Sequence, residues 1–495
     1  MRIVVIGAAP TGLGVAYRFY QLQNDNIEVT KELSPGGLSR TVIDENGFLW
    51  DMGGHITFDH NFPYYNEAIH WAVNEWNTLT RNCQVDISYM FNDKDLHLVP
   101  YPVQYAIPMF PSSIKMKCLK DLKDRCKKSK KINLSKNFDE WVKDHFRPTL
   151  NNYFFKQYTQ KVWTVKPEQM NSIWVGSRVA QIPYEKLEEL CAMDENDLKK
   201  IDYGWGPNAQ FMFPKYSGTG SIWKSMINKL PSEWFRFGCE LNRIKDATKF
   251  FEITDIDAKG KMITYENKQY GKLKLSYDIL ISTMPIDQLI KCSKLCRELD
   301  LKYNKVFVIG IGLTKPMNRI AEQFTWLYFP ETTVPFYRIT FLSRYGEMTP
   351  DNEKYWSILC ECAYAINDNY DDSFIFTYSS FNNISIHITE EKVMEKTIEC
   401  LIRKSIILRE QIVSLFSVLL PYGYPIPTIN RDQELTRAHR ILEKHKIYSR
   451  GRFGGWKYEV SNQDHCFIQG KEIIDRLLLG EPETIYINGL SASQG

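Results

Sequence analysis

The first thirty residues combine a continuous apolar run with an apolar pattern of helical spacing. Residues 3–6 are all apolar, as is typical of a strand that is covered on both faces. Glycines interrupt residues 7–14, and apolar residues then recur at helical intervals through residue 20. A second short apolar stretch follows at residues 27–29. The pattern therefore predicts a βαβ unit with a glycine turn after its first strand.

Farther along the chain, helical and strand-like patterns alternate in blocks. The predicted elements are a helix at 66–77, a strand at 96–101, a mostly helical region at 112–200, a hairpin at 249–270, a buried strand within 277–285, an antiparallel sheet at 305–378 and a helix at 390–408. No internal repeat interrupts this order.

Composition excludes several classes of protein. A chain of 495 residues is too long for one ordinary core and predicts two or three domains. A net charge of +3 gives no support for a nucleic-acid partner, and no apolar stretch has the length of a membrane span. The first strand begins almost at the initiator Met, which leaves no room for a signal peptide and predicts a cytoplasmic protein.

Cysteines and aromatic residues change this picture in different ways. The 11 cysteines are scattered without paired zinc spacing, so we expect reduced thiols and no metal site. The 28 Tyr and 12 Trp exceed the needs of a core, and many stand among polar residues. Rings in such positions can stack on a base or sugar while their polar atoms bind the ligand.

The glycine turn after the first strand has the spacing of a dinucleotide fingerprint. Gly7, Ala9 and Gly12 occupy its three positions, where a tight turn brings backbone and a helix N-terminus to a pyrophosphate. The middle position is alanine instead of glycine. Taken alone, the motif leaves open either a phosphate-binding turn or a plain strand-to-helix turn.

Two later glycine pairs favour FAD over a nicotinamide nucleotide. Gly36 and Gly37 follow the second predicted strand, and Gly53 and Gly54 follow a hairpin-like stretch. These pairs would let backbone approach a second part of the same long cofactor. The acidic residue that usually binds the ribose would fall at Thr30, which is neutral.

Together with further motifs along the sequence, these residues give the chain a resemblance to the eukaryotic-type UDP-galactopyranose mutases over nearly its whole length. The motifs that carry the resemblance are GAAPTGLG, PGGLS, GFLWDMGGHITFDH, VPYPVQ, KVWTV, VGSRVA, YGWGPNAQFMFPKYSGTGSIW, FTWLYFPETTVPFYRITFLSRY, YGYPIPT and SRGRFGGWKYEVSNQDH.

This resemblance implies an isomerase that interconverts UDP-galactopyranose and UDP-galactofuranose with no net redox change. Its cofactor would be FAD in the reduced form, with NADPH as the expected reductant. The flavin N5 would attack the anomeric carbon, displace UDP and form a covalent flavin–sugar adduct. The expected partner is therefore a UDP-sugar substrate, with no membrane and no nucleic acid involved.

The resemblance also assigns roles to individual residues. The implied catalytic residues are Arg178, Arg338 and His55, with the two arginines on the diphosphate. The implied substrate-binding residues are Tyr101, Gln104, Thr159, Trp163, Asn208, Trp326, Tyr328, Tyr424 and Tyr458. The implied cofactor-binding residues are Gly7, Ala9, Thr11, Gly12, Gly36, Gly37, Leu38, Ser39, Gly53, Gly54, His55, Arg452, Asn462 and Gln463.

The fold implied is α/β, with a glutathione-reductase-like Rossmann FAD domain, an inserted helical domain and an antiparallel β-sheet domain. The expected ranges are 1–95, 218–300 and 440–495 for the FAD domain, 105–200 for the helical domain, and 96–104, 201–217 and 301–439 for the sheet domain. Substrate is expected between these domains, under closing loops at about 175–183 and 204–210.

Three alternatives stay open at this point. Val103 and Thr159 replace residues found in some relatives, which permits a mutase of the same mechanism for a different nucleotide sugar. An FAD oxidoreductase of the same fold is a second alternative. A nucleotide-sugar binder that has lost flavin through Ala9 and Thr30 is the third.

Overall fold

The computed structural model describes residues 2–22, 27–30, 35–58, 60–127, 137–176, 179–198, 210–236, 251–267, 271–365, 374–375, 387–388 and 390–486. The strands are β1 Ile3–Ile6, β2 Ile27–Thr30, β3 Thr41–Ile43, β4 Leu49–Asp51, β5 Trp76–Thr80, β6 Cys83–Asp86, β7 Leu98–Pro100, β8 Gln210–Pro214, β9 Phe235–Arg236, β10 Phe251–Asp257, β11 Met262–Asn267, β12 Gly271–Ser276, β13 Ile279–Ser282, β14 Lys302–Thr314, β15 Trp326–Tyr328, β16 Arg338–Thr340, β17 Tyr355–Ala365, β18 Phe374–Ile375, β19 His387–Ile388, β20 Ile412–Leu420, β21 Pro425–Ile426 and β22 Ile447–Ser449. The α-helices are α1 Pro10–Gln21, α2 Pro63–Ala72, α3 Ser88–Phe91, α4 Ser112–Lys127, α5 Phe138–Leu150, α6 Lys156–Trp163, α7 Tyr184–Cys191, α8 Glu195–Leu198, α9 Gly220–Lys229, α10 Ile286–Ser293, α11 Arg319–Gln323, α12 Glu390–Arg403, α13 Arg431–Lys444 and α14 Gln463–Leu478.

The chain divides into two compact units. The first unit comprises Met1–Leu79, Phe211–Lys302 and Pro425–Gly495, and the second comprises Thr80–Gln210 and Tyr303–Tyr424. The helical region and the large sheet, expected as separate domains, form one unit together.

A parallel five-stranded sheet, in the order β22-β13-β1-β2-β9, forms the centre of the first unit. All four residues of β1 are buried, which agrees with the continuous apolar run that predicts this strand. The predicted βαβ unit is confirmed, with α1 between β1 and the parallel strand β2. The predicted hairpin is also present, as β10 and β11.

The first and last long helices of this unit pack closely. A Cβ on Gly14 of α1 would lie 2.2 Å from the carbonyl oxygen of Phe467 in α14. A Cβ on Gly470 of α14 would lie 2.1 Å from the carbonyl oxygen of Thr11. Glycines in both helices therefore allow backbone-to-backbone contact beside the parallel sheet.

The second unit contains a sheet in the order β20-β14-β17-β16-β15-β6-β7. Its described pairs are antiparallel except for β15 and β6, which run parallel, so the expected purely antiparallel sheet is corrected to a mixed one. The strands β6 and β15 come from distant segments, and no hairpin turn sets their relative direction.

The segment boundaries also differ from the expected ones. Residues 80–95 belong to the second unit because β6 pairs with β15 and β7. Residues 211–217 belong to the first unit, where Met212 forms a β-bridge with Thr57. The helix expected at 66–77 ends at Ala72, because Val73 takes an extended conformation and a strand follows. No described helix combines the length and the apolar character needed to cross a membrane.

Candidate functional site

The first glycine turn joins β1 to α1. Gly7 has a φ of +108°, and a Cβ on it would lie 2.0 Å from Oγ1 of Thr283. A Cβ on Gly12 would lie 1.9 Å from the carbonyl oxygen of Gly7, so α1 can begin this close to β1 only with glycine. Ala9 stands at the N-cap with φ −86° and ψ −179°, an extended conformation that alanine adopts without strain.

The N-terminus of α1 suits an anion. No described side chain caps this helix, and Pro10 occupies its first turn. Thr11 and Gly12 are buried beside it. The free amides and the helix dipole of this first turn therefore present partial positive charge, as the pyrophosphate of a dinucleotide requires.

The second glycine turn lies next to the first. Gly36 and Gly37 have φ values of +108° and +56°, which glycine adopts most readily. The amide of Gly36 donates to the carbonyl oxygen of Ala8 at 2.9 Å, and this bond joins the two turns. Leu38 and Ser39 follow in a short 3₁₀ turn, with Ser39 buried. The residues predicted for FAD at these two turns are thus neighbours.

The loop that carries His55 is the third predicted cofactor segment. Gly53 has a φ of +135°, and the amide of His55 donates to its carbonyl oxygen at 2.7 Å. The hydroxyl of Thr219 donates to the carbonyl oxygen of His55 at 3.2 Å. Gly54 and His55 are half-buried in this arrangement.

A buried carboxyl group anchors this loop. Asp51 is fully buried and accepts hydrogen bonds from the hydroxyl of Thr41 and, at 3.3 Å, from the amide of Thr219. Thr41 in turn accepts from the amide of Gly220 at 2.7 Å. Burial raises the pKa of Asp51 to about 7, although these hydrogen bonds favour the charged form.

The C-terminal segment meets the His55 loop. Gln463, in the first turn of α14, donates from Nε2 to the carbonyl oxygen of Ile56 at 3.3 Å. Asn462 is the N-cap of the same helix. Nη1 of Arg452 donates to Oγ of Ser461 at 3.0 Å. Hydrogen bonds therefore connect the segment of Gly7 to that of Gly36, and the loop of His55 to the start of α14, within the first unit.

In the second unit, the predicted diphosphate ligand Arg338 is held by an acidic residue. Arg338 of β16 pairs in register with Glu361 of β17. Nε of Arg338 donates to Oε2 of Glu361, and Nη2 donates to Oε1 at 2.8 Å. The Arg338 side chain is 21% exposed and that of Glu361 is 5% exposed. Burial is the largest single effect and opposes the charge on Arg338, but the charge and hydrogen bonds of Glu361, together with the neighbouring tyrosines, raise the pKa of the arginine above its ordinary value.

Tyrosines surround this ion pair. The hydroxyl of Tyr337 donates to Oε1 of Glu361 at 3.0 Å and lies 3.3 Å from the hydroxyl of Tyr424. The ring of Tyr424 lies 5.6 Å from that of Trp163, centroid to centroid. Arg338, Tyr424 and Trp163, all predicted from the sequence, are therefore linked through Glu361 and Tyr337.

A second aromatic group lies on the strand beside Arg338. Tyr328 of β15 pairs in register with Arg338, and its ring lies 5.0 Å from that of Tyr101 and 6.0 Å from that of Tyr158. Burial raises the pKa of Tyr328 and Tyr337 well above the ordinary value, so both hydroxyls stay protonated. The hydroxyl of Tyr337 already donates to Glu361, so of these two it is the neutral hydroxyl of Tyr328 that can donate a hydrogen bond to an anionic ligand.

Of the other predicted substrate-binding residues, some lie in the second unit, one lies in the first unit, and one lies outside the described residues. Gln104 is buried and donates from Nε2 to the carbonyl oxygen of Ala180. Thr159 is buried on α6, and Trp326 is buried on β15 two residues before Tyr328. Tyr458 belongs to the first unit, in a 3₁₀ turn. Arg178 and Asn208 lie outside the described residues, together with parts of the two expected closing loops.

Three residues of the second unit that lie beside Arg338 or Tyr328 were not identified from the sequence. These are Glu361, Tyr337 and Tyr158. A signal was available for the first, because Glu361 is an acidic residue inside an otherwise apolar strand, and a buried charge requires a partner. The identity of that partner depends on the register of β16 and β17, which the sequence pattern does not contain.

Comparison with known proteins identifies the family and the fold of this chain. The family described as flavin containing amine oxidoreductase matches residues 32–308. The crystal structure of a reduced UDP-galactopyranose mutase is 34% identical, with a TM-score of 0.83 over 99% of this chain and 96% of that chain.

Two other solved structures share the fold at low identity. A candidate protoporphyrinogen oxidase from Exiguobacterium sp. 255-15 is 14% identical, with a TM-score of 0.66 over 97% of this chain and 99% of that chain. A CLA-producing fatty acid isomerase from P. acnes is 12% identical, with a TM-score of 0.54 over 96% of this chain and 98% of that chain. The expected Rossmann-type FAD fold is therefore confirmed, and the chain belongs to the family of flavin-containing amine oxidoreductases.

Proposed function

We propose that this chain is a eukaryotic-type, flavin-dependent mutase that interconverts UDP-galactopyranose and UDP-galactofuranose with no net redox change. The observation that carries the proposal is the fixed orientation of the Arg338 guanidinium. Glu361 holds the guanidinium in this orientation, and protonated tyrosines lie beside the pair. A fixed guanidinium with neutral hydroxyl donors suits the diphosphate of a nucleotide sugar. The 34% identity to a UDP-galactopyranose mutase supports the same substrate class.

The first unit holds the cofactor in this proposal. When bound, reduced FAD supplies the nucleophile for the anomeric carbon, and NADPH is the proposed reductant. The turns at Gly7 and Gly36 receive the pyrophosphate through backbone amides and the N-terminus of α1. His55 and the start of α14 would hold the flavin, and hydrogen bonds of Thr219 to Asp51 and to the carbonyl oxygen of His55 fix the loop of His55.

The arginines stabilise the leaving group. UDP gains negative charge as its bond to the sugar breaks, so a preorganised cation lowers the barrier of this step. Arg338 needs no reorientation, because Glu361 already fixes the plane of its guanidinium. Arg178 is proposed as the second diphosphate ligand.

The aromatic residues position the rest of the substrate. Tyr101, Gln104 and Trp163 are proposed for the uridine, where rings stack on the base. The remaining proposed contacts to the sugar and diphosphate are Thr159, Asn208, Trp326, Tyr328, Tyr424 and Tyr458. Protonated hydroxyls of this set donate to the phosphates and accept from the sugar.

An FAD oxidoreductase is the second candidate function. The family match over residues 32–308 favours it, since that family is described by amine oxidoreductase chemistry. The two functions differ in electron balance: an oxidoreductase consumes reductant with each turnover, whereas a mutase uses one reduction for many turnovers.

The test compares the amount of UDP-galactopyranose formed with the number of electrons supplied to the flavin. Purified protein is reduced once with dithionite under anaerobic conditions and supplied with UDP-galactofuranose. Formation of many UDP-galactopyranose molecules per reduced flavin supports the mutase. Reoxidation of the flavin together with a product that differs from UDP-galactofuranose by two electrons would instead indicate an oxidoreductase, and bound flavin with no conversion would contradict the proposal. UDP-glucose and UDP-N-acetylgalactosamine, tested in parallel, compare alternative nucleotide sugars.

A further inference from the structure

Two histidines and one aspartate meet in the first unit outside the residues assigned to cofactor and substrate. Nδ1 of His60 binds Oδ2 of Asp464, and Nδ1 of His465 lies 3.1 Å from Oδ1 of the same carboxylate. The ring centroids of the two imidazoles are 4.9 Å apart. One donor atom from each of the three residues lies within 4.8 Å of the others.

The surroundings of this cluster suit a cation that arrives from solvent. The Asp464 side chain is 3% exposed, whereas those of His60 and His465 are 17% and 15% exposed. The described partners of the Asp464 carboxylate are the two imidazoles and the amide of His465. Among the described residues, no lysine or arginine pairs with the Asp464 carboxylate. The rings of Phe58 and Phe62 lie 5.7 Å from that of His60 and 5.3 Å from that of His465, respectively.

We propose that His60, Asp464 and His465 form a binding site for a divalent transition metal of the zinc class. Two imidazole nitrogens and one carboxylate oxygen are three ligands that Zn²⁺ accepts in a four-coordinate site, with the fourth position left to water. The exposed edges of both imidazoles provide the entry path.

Metal binding would join two segments of the first unit. His60 follows the loop of Gly53 to Ile56, while Asp464 and His465 belong to the first turn of α14. Hydrogen bonds from Gln463 to the carbonyl oxygen of Ile56 and between His60 and Asp464 already connect these segments. A metal at this cluster therefore stabilises the folded state, since it binds an arrangement that the unfolded chain lacks.

The test uses the purified full-length protein after treatment with a chelator. Zn²⁺ is titrated by calorimetry, with Mg²⁺ as the control for non-specific cation binding, because Mg²⁺ prefers oxygen ligands. One Zn²⁺ per chain, with a rise in Tm, is expected. Replacing Zn²⁺ by Co²⁺ is expected to give visible absorption of a tetrahedral site at wavelengths beyond the flavin bands.

Variants assign the site to these residues. His60→Gln and His465→Gln are each expected to weaken Zn²⁺ binding by at least roughly tenfold, since loss even of a partner of a metal ligand costs about that much. The matched control is His97→Gln, which alters an exposed histidine paired with Asp93 at 2.8 Å and is expected to leave binding unchanged.

A second measurement avoids dependence on the folding of variants. Diethyl pyrocarbonate modifies accessible histidines of the wild-type protein, and mass spectrometry locates the modified residues. Zn²⁺ is expected to protect His60 and His465 but not His97. Absence of Zn²⁺ binding, or binding that neither variant weakens and that protects neither histidine, would overturn the proposal.

Discussion

Arg338 and Glu361 stand opposite each other on the neighbouring strands β16 and β17, and two guanidinium nitrogens bind the two carboxylate oxygens. This geometry uses Nε and Nη2, and it fixes the plane of the guanidinium. The third nitrogen, Nη1, lies outside the pair. The strand register thus determines the direction in which Arg338 can donate to a ligand.

Arg338→Ala is expected to lower kcat roughly 10²–10³-fold while FAD stays bound, since one fixed donor to developing charge is lost. Arg338→Lys is expected to restore only part of the rate, because an ammonium cannot reproduce the planar pair with Glu361. Turnover of UDP-galactofuranose and flavin absorbance measure the two effects. Arg409→Ala, which removes an exposed ion pair with Glu395, serves as the control. Wild-type turnover in Arg338→Ala would refute the assigned role.

Glu361→Gln tests the same pair through stability and orientation. A guanidinium left without its charged partner destabilises the fold, and we expect a loss below the roughly 3–5 kcal/mol of a fully buried pair, because Arg338 keeps 21% exposure. Urea unfolding measures this loss. Glu395→Gln, at the exposed pair with Arg409, is expected to have little effect on stability. Equal stabilities of the two variants would contradict a structural role for Glu361.

The effect of Glu361 on the orientation of the Arg338 guanidinium is measured by the kinetics of the Glu361→Gln protein, under conditions where this variant is folded. Because Arg338 loses its fixed plane, kcat is expected to fall more than the apparent substrate affinity. A change confined to KM would show that Glu361 affects binding alone.

The raised pKa of Asp51 predicts that the free energy of unfolding depends on pH. The unfolded state releases this proton near pH 3.8, whereas the folded state keeps it until about pH 7. Between these values the folded state binds more protons, so Asp51 makes stability fall as pH rises, by at most about 1.4 kcal/mol per pH unit. Asp51→Asn is expected to flatten this slope relative to the wild type in urea unfolding between pH 4 and pH 7.

The exposed ion-pair residue Asp255 provides the control for this prediction. Asp255 binds Lys294 at 3.2 Å on the surface, and Asp255→Asn is expected to leave the slope nearly unchanged. If Asp51→Asn shows the wild-type slope across the whole window, the raised pKa is refuted.

Ala9→Gly separates a steric effect from a backbone effect. The dihedral angles of Ala9 suit alanine, so glycine is expected to lower the stability of FAD-free protein by about 0.4–1 kcal/mol. Removal of the methyl group is expected to strengthen FAD binding, because backbone can then approach the pyrophosphate more closely. Titration of FAD-stripped protein measures the affinity. Ala16→Gly, farther along α1, should lower stability without strengthening binding, and unchanged FAD affinity in Ala9→Gly would reject the steric argument.

The local elements of the first unit could be predicted because their patterns are simple. The run at Ile3–Ile6 and the helical spacing after it identify β1 and α1 without knowledge of their neighbours. Strand β20 was not predicted, because its apolar residues lie on both faces: Phe416 is buried, whereas Val413 and Leu415 are exposed. Such a strand has no clear alternation of apolar and polar residues.

Long-range pairing limits what the sequence predicts of the site. Arg338 and Tyr328 were found through a family resemblance, but the contacts that orient them were not. The pair of Arg338 with Glu361 depends on strand register, and the parallel pairing of β15 with β6 joins segments far apart in the chain. Neither relation follows from residues close together in sequence.

The close packing of Gly14 against Phe467 has a consequence for protein synthesis. Helix α1 leaves the ribosome long before α14, because residues 22–462 lie between the two helices in the chain. Strand β1 likewise cannot pair with β13 until β13 has been made, and β13 cannot pair with β22 until β22 has been made. The packing of the first unit therefore cannot be completed before α14 has been made, and a nascent chain that stops before α14 leaves the surface of α1 uncovered for chaperones to bind.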